Sequence, residues 1–314
     1  MVYLSTLRRY LGLFLRRLQH NTQKMKRLII DGNNLIHRTY WTAKTQSQRT
    51  KTDTPEQIGN FHIYFTLNAV FSYVTKFNPD KTIFVWDEKP EYQVNERKAE
   101  FENYKGNRSK DDTPHQNNKV IKEMLRYLGI PSIFPRQLEA DDIVAYICKK
   151  YEGQKVIVSV DKDFVQIVDS NITLYDPIRK LEYTNKNFKE LTGYDNTHDW
   201  LKAKCILGDK SDNVPGIPKF GKAKIAKLNN GEISLTSEEE EIYNRNLSLF
   251  RLDAFEQNKD EMEYYENQLA QEVTSDWSAF QAECKNRQFN SILSKKESWY
   301  SLFFLRNKLQ SLFV

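Results

Sequence analysis

Three short stretches of the chain are apolar almost without interruption, and each closes on an aspartate. They are Leu28-Ile29-Ile30-Asp31, Ile83-Phe84-Val85-Trp86-Asp87 and Val156-Ile157-Val158-Ser159-Val160-Asp161, the last followed by Lys162-Asp163. A strand with one wet face alternates polar and apolar positions. One that is apolar throughout is covered on both sides, as in a parallel sheet. Helical stretches separate the three runs. Asp53-Thr54-Pro55-Glu56 reads as a cap with proline in the first turn, and Ile58, Phe61, Phe65 and Ala69 predict the buried face that follows. Further helices are predicted over Val120–Leu128 and Thr197–Leu207. Ile172–Tyr175 and Leu181–Thr184 predict short β elements at a sheet edge. From about residue 232 the chain is charged and helical in composition, and Glu238–Glu241 reads as a solvated helix start. Strands alternating with helices predict an α/β fold with a doubly wound parallel sheet.

In such sheets the functional crevice lies beyond the carboxyl ends of the strands. Asp31, Asp87, Asp161 and Asp163 belong there by construction. One aspartate after a strand usually caps the next helix; three in a row ask for another reason. The stretch Leu138-Glu139-Ala140-Asp141-Asp142-Ile143-Val144-Ala145 supplies it, with three carboxylates at the head of a partly buried helix. Clustered carboxylates repel one another and resist leaving water. A divalent cation relieves both costs, and hard oxygen donors suit magnesium or manganese. Asp209 and Asp212, three apart, can point the same way on a turn of helix and join the set.

Two basic segments accompany these acids. Between Asp87 and Glu139, residues Arg97, Lys98, Lys105, Arg108 and Lys110 are interleaved with Tyr92, Phe101 and Tyr104. That mixture suits phosphate contact and base stacking, and its place after an active-site strand suits a mobile cover. Later, Gly216 and Gly221 bracket a tight turn that carries Lys219 and opens a lysine-rich helix with Lys222, Lys224 and Lys227. Backbone N–H groups at a helix N-terminus favour phosphate.

Charge sharpens this picture. The chain of 314 residues carries 47 Lys and Arg against 42 Asp and Glu. Residues 1–24 hold five of the basic ones (Arg8, Arg9, Arg16, Arg17, Lys24) and no acid, so the remainder is formally neutral. With nine acids committed to metal, the outer surface is left positive, as a polyanionic partner requires. Three widely spaced cysteines, Cys148, Cys205 and Cys284, without a CxxC pattern, argue against zinc and disulfides and fit a reducing cytosol. No apolar run is long enough to span a bilayer. Residues 1–24 read as an extension ahead of a domain that starts at Met25. The close, Gln310-Ser311-Leu312-Phe313-Val314, resembles peptides that dock on sliding clamps, and equally suits a terminal helix packing its apolar side.

The assembled pieces resemble the flap endonuclease / 5′-nuclease family, most closely the bacteriophage 5′→3′ exonucleases, over residues 26 to about 255. The motifs that carry the resemblance are Ile30-Asp31-Gly32, Trp86-Asp87, Tyr104-Lys105-Gly106-Asn107-Arg108, Glu139-Ala140-Asp141-Asp142, Ser159-Val160-Asp161-Lys162-Asp163 and Gly208-Asp209-Lys210-Ser211-Asp212-Asn213. The family often shows Asp-Gly-Asp where this chain has Asp161-Lys162-Asp163. The resemblance implies a PIN-like parallel-sheet core over 25–195 with a helical arch at about 90–118. It implies a helical DNA-binding region over 196–314 with a helix-hairpin-helix. It implies two Mg²⁺ ions, replaceable by Mn²⁺: Asp31, Asp87, Glu139 and Asp141 serve the first, with Asp142 near it, and Asp161, Asp163, Asp209 and Asp212 serve the second. Lys105 and Arg108 reach the scissile phosphate, and Gly216–Ala223 holds duplex, with K⁺ at the hairpin. The implied activity is two-metal hydrolysis of phosphodiesters at a 5′ flap or 5′ end of DNA or an RNA–DNA hybrid. The expected setting is primer removal in replication by a monomer in the cytoplasm of a phage-infected bacterium, with a sliding clamp or single-strand-binding protein as partner. A catalytically silent junction-binding protein is the alternative. A phosphotransferase using Asp as nucleophile fits poorly, because Asp31-Gly32-Asn33 lacks its Asp-x-Asp.

Overall fold

The first apolar run becomes β1 (Lys26–Asp31), the centre of a six-stranded sheet, in a computed structural model that describes residues 25–305 except 53, 89–95 and 107–112. The helices α1 (Gly32–Thr50) and α2 (Pro55–Phe77) follow, then β2 (Lys81–Val85), α3 (Glu96–Glu100), α4 (Asn118–Tyr127), β3 (Ser132–Ile133), α5 (Ala140–Lys150) and β4 (Gln154–Val158). The strands β5 (Ile172–Asp176) and β6 (Leu181–Tyr183) complete a sheet of order β3-β2-β1-β4-β5-β6. All neighbours are parallel except β5 and β6. The predicted doubly wound sheet and its β5–β6 edge are therefore present. The short strand β3 was not predicted, since two residues after a proline leave no periodicity to read.

The uninterrupted apolar runs divide by alternation. Leu28, Ile30, Phe84, Trp86, Val156 and Val158 face one core with residues of α1, α2 and α4. Ile29, Ile83, Val85 and Ile157 face the other, with residues of α5. The strand order reverses direction at β1, whose Asp31 lies level with Val85 of β2. A crevice opens there at the carboxyl edge, as in other doubly wound sheets.

Two expectations change here. The buried face of α2 runs through Gly59, Ile63, Leu67, Val70 and Val74, while Ile58, Phe61, Phe65 and Ala69 are only partly covered. The helix is apolar on several sides, so spacing alone did not select the face. The second change concerns the division at 195/196. After α6 (Phe188–Thr192), the chain forms α7 (Thr197–Leu207), the hairpin β7 (Gly208–Asp209) and β8 (Val214–Pro215), α8 (Lys222–Asn229) and α9 (Ser237–Phe250). The chain then returns to the sheet. Leu252, Phe255, Tyr265 and Leu269 complete one face of the core; Phe280, Phe289, Trp299 and Phe303 complete the other. The last described fifty residues thus pack into the two cores of the sheet as much as they form a separate helical region. The Leu309–Val314 end and residues 1–24 lie outside the described residues, and no helix among those described is long and apolar enough to cross a membrane.

The loop entering α5 has its own anchor. Glu261, on α10 (Lys259–Ala270), is fully buried, and its Oε1 accepts the backbone N–H groups of Arg136 (2.8 Å), Gln137 (3.0 Å) and Leu138 (3.3 Å), and the Tyr265 hydroxyl (2.8 Å). Charge-assisted bonds to a buried carboxylate exceed those to an amide. Glu261→Gln is expected to cost about 1–3 kcal/mol of stability, measured as a lower urea midpoint with an unchanged m-value. An unchanged midpoint counts against the anchor.

Candidate active site

The acids gather at the carboxyl edge because each ends a strand or opens a helix. Asp31 ends β1 and N-caps α1, accepting the Asn34 N–H at 3.1 Å. A side chain on Gly32 would meet the Phe84 ring at 2.4 Å and the Val85 carbonyl at 2.5 Å, so glycine is required where α1 leaves the sheet. Asp161 N-caps a short 3₁₀ turn and accepts the Asp163 N–H at 2.8 Å. Glu139 stands at the N-cap of α5, and its own N–H bonds Asp142 Oδ2 at 3.1 Å. The capping role of these acids is therefore present.

Small polar groups stitch the strand ends together. Ser159 Oγ donates to Asp31 Oδ2 at 2.6 Å and accepts the Asp161 N–H at 3.0 Å. Asn33 Oδ1 receives the Asp87 N–H at 3.3 Å, and Asn34 Oδ1 receives that of Val160 at 3.4 Å. Asp87 Oδ1 lies 3.4 Å from the Ala140 N–H, which brings the end of β2 to the head of α5. Lys105, with a left-handed backbone (φ 54°), donates its N–H to the Asp212 carbonyl and its Nζ to Glu139 Oε1, both at 2.8 Å.

The electrostatics follow from this crowding. Burial pushes the Asp31 carboxyl up to about 6, and the charges of Asp161 and Asp87 add to the shift against the Ser159 hydrogen bond. Burial likewise raises Asp163 to about 6, with Asp161 adding and Lys204 opposing. Asp141 is raised well above the carboxylate range by loss of solvent first and by Asp161 second. Its side chain makes no hydrogen bond or ion pair with any described residue. Charge repulsion thus links Asp31, Asp87, Asp141, Glu139 and Asp161, and through Asp161 reaches Asp163, on which Asp212 also acts. No three of these acids, among the described residues, already surround a single cation position.

Four expectations are corrected. Asp142 does not face the shared pocket: it is fully buried and gripped by Arg97, Nη2 to Oδ1 at 2.8 Å and Nη1 to Oδ2 at 2.9 Å. Arg97 in turn is 5% exposed, also bonds Glu139 Oε2 at 2.8 Å and the Arg251 carbonyl at 3.0 Å, and has no surface to offer a nucleic acid. Tyr104, 3% exposed, packs with Cys205, Val214, Leu249 and Phe250 and gives its hydroxyl to Glu139 at 3.1 Å, so it does not stack on a base. Asp209 and Asp212 sit on the β7–β8 hairpin rather than on a helix. Lys98 is exposed, whereas Arg108 and two stretches of the expected arch, 90–95 and 107–112, lie outside the described residues.

The hairpin that follows is shaped by close backbone approach. A side chain on Gly216 would fall 2.3 Å from the Leu207 carbonyl. Lys219, Gly221, Lys222 and Lys224 are all exposed around the start of α8.

Sequence reading missed one residue that meets two of these acids. Lys204, on α7, puts its ammonium between Asp163 and Asp209, 3.1 Å from Asp209 Oδ2 and in contact with Asp163 Oδ1. Its partner Asp163 lies 41 positions away, so no local spacing announces it.

Residues 26–193 match the family model described as the 5′–3′ exonuclease N-terminal, resolvase-like domain. The chain is 32% identical over 199 residues to the 5′–3′ exonuclease of Aquifex aeolicus, covering 62% of this chain and 65% of that one. It is 29% identical over 233 residues to DNA polymerase I of Caldicellulosiruptor bescii, covering 70% of this chain but 25% of the polymerase. The chain therefore spans a quarter of that polymerase and just under two thirds of the Aquifex protein. Among solved structures, the bacteriophage T5 flap endonuclease, in a pseudo-enzyme–product complex with DNA and metal ions, shares the fold. Its TM-score is 0.61 at 19% identity, over 78% of this chain and 98% of that one. Flap endonuclease-1 from Methanococcus jannaschii is similar at a TM-score of 0.50 and 16% identity, covering 90% and 93%. With the family model matched over more than half its length, this chain belongs to the 5′–3′ exonuclease family.

Proposed function

We propose that the protein is a divalent-metal-dependent 5′-nuclease that hydrolyses phosphodiester bonds near a free 5′ end or 5′ flap of DNA. The observation that carries this reading is a group of acids at one sheet edge, in which burial and the neighbouring carboxylates disfavour the ionisation of Asp31, Asp141 and Asp163. Such a set is poorly satisfied by the protein alone and well suited to cations. Asp31, Asp87, Glu139 and Asp141 would hold one ion, and Asp161, Asp163, Asp209 and Asp212 a second. When bound, Mg²⁺ or Mn²⁺ would supply an activated water and charge for the departing 3′-oxygen.

The protein's own groups do the rest. Lys105 Nζ, which donates to Glu139 Oε1, would balance negative charge growing on the phosphate. A groove of about 660 Å³ adjoins the acids at Asn34 and Val160 and is lined by Arg38, Trp41 and Arg49. Trp41 is 49% exposed, with Lys44 Nζ 5.0 Å over its ring. Bases stack on such aromatics while cations track the backbone. The exposed lysines of the hairpin add a second phosphate-binding surface. Primer removal, RNA–DNA hybrid as substrate, K⁺ at the hairpin, and a clamp or single-strand-binding partner rest on the family resemblance.

The test is cleavage of a labelled 5′-flap DNA with Mg²⁺ and with EDTA. Products that require Mg²⁺ support the reading; tight binding without them supports a silent junction binder. Lys105→Ala is expected to reduce single-turnover cleavage by about a hundredfold with a smaller change in substrate Kd. An equal loss in both would assign Lys105 to ground-state binding.

A further inference from the structure

We infer that Lys204 is a resident counter-cation of the second acid set and competes directly with the divalent ion for Asp163 and Asp209. The inference rests on the metal reading above and deepens it.

The Lys204 side chain is 10% exposed, and its ammonium touches Asp163 and lies 3.1 Å from Asp209 Oδ2. It also sits 4.6 Å over the ring of Phe250, which is itself buried. The position is therefore built: an aromatic face on one side, two carboxylates on the other. Two neighbouring arrangements follow the same pattern, Lys105 on Glu139 and Arg97 on Glu139 and Asp142. Lys204 differs from Arg97 in what leaving would cost. Arg97 closes a buried bidentate pair with Asp142, whereas Lys204 is a point charge on a flexible stem.

A divalent ion and an ammonium drawn to Asp163 Oδ1 and Asp209 Oδ2 compete for the same oxygens. Ligation uses the lone pairs that the ammonium occupies, and the two positive charges repel at a few ångströms. Entry of the ion at these oxygens displaces Lys204 from Asp163 and Asp209. In the absence of metal the lysine limits repulsion within the set; in its presence it weakens the second site. Lys204 thus raises the metal concentration at which the second site fills.

The test uses the full chain, freed of metal with EDTA and dialysed, with Mn²⁺ binding followed by electron paramagnetic resonance and by calorimetry. Wild type is expected to bind Mn²⁺ in a tighter and a weaker phase. Lys204→Met, which keeps the stem over Phe250, is expected to tighten the weaker phase about tenfold or more, and to lower the metal-free Tm while enlarging the rise in Tm on adding Mn²⁺. Lys204→Gln is the second variant should the first not fold, with the same direction. Asp209→Asn is the control and should abolish the weaker phase. If Asp209→Asn abolishes it while the Lys204 variants leave it unchanged, the competition is refuted and the metal reading stands. If Asp209→Asn also changes nothing, the second metal site is misassigned and the inference goes with it.

Discussion

Asp161→Asn is expected to slow cleavage of a 5′-flap DNA by about three orders of magnitude in Mg²⁺, while the protein remains folded. Asp161 recurs beside three other acids of the cluster: its charge reaches Asp31, Asp141 and Asp163. An asparagine there can still accept the Asp163 N–H, now at 2.8 Å, so the local cap survives. Removing one charge from a repelling set also predicts a metal-free Tm equal to or above that of wild type. The pair of measurements separates the two roles of the residue, since a purely structural cap would lower Tm and leave the rate. Wild-type cleavage by Asp161→Asn would remove the metal assignment.

The second large effect is on stability. Arg97→Ala is expected to cost about 3–5 kcal/mol, because it leaves Asp142 and Glu139 buried without their guanidinium. The pH dependence has a definite sign. Burial already raises Asp142 above its ordinary value, against the pull of Arg97, and losing Arg97 raises it further. A carboxyl whose folded pKa lies above its unfolded one holds its proton more tightly when folded, so lowering the pH favours the folded state. The gap between Arg97→Ala and wild type should therefore be widest at neutral pH and narrow as pH falls toward the ordinary carboxylate range. Urea unfolding at a series of pH values checks it; a gap independent of pH would mean that Asp142 is not left charged and alone.

Arg97 also shows how a correct motif can carry a wrong role. Its position in a basic, aromatic stretch suggested DNA, as did Tyr104 and Phe101. Composition describes a segment's average environment, but the fold decides residue by residue. Here Tyr104 and Phe101 turn into the core of the α7–α9 region, while Arg97 reaches the acid at the head of α5. Lys98, one position on, stays exposed. Similarly, three carboxylates within four residues looked equivalent, yet Asp142 faces inward and Asp141 faces the cluster, because successive helix positions are about 100° apart.

What the chain alone determined is the sheet, its carboxyl edge and the acids along it. Uninterrupted apolar runs can be buried on both faces only in one kind of layer, and a residue that ends a strand has no choice of edge. What only the tertiary structure decided is which charges face each other: Arg97 with Asp142, Lys204 with Asp163 and Asp209, Glu261 with the loop before Glu139. Those partners come from helices far away in sequence, and their pairing depends on side-chain reach and burial after the layers have packed. No periodicity in the chain encodes it.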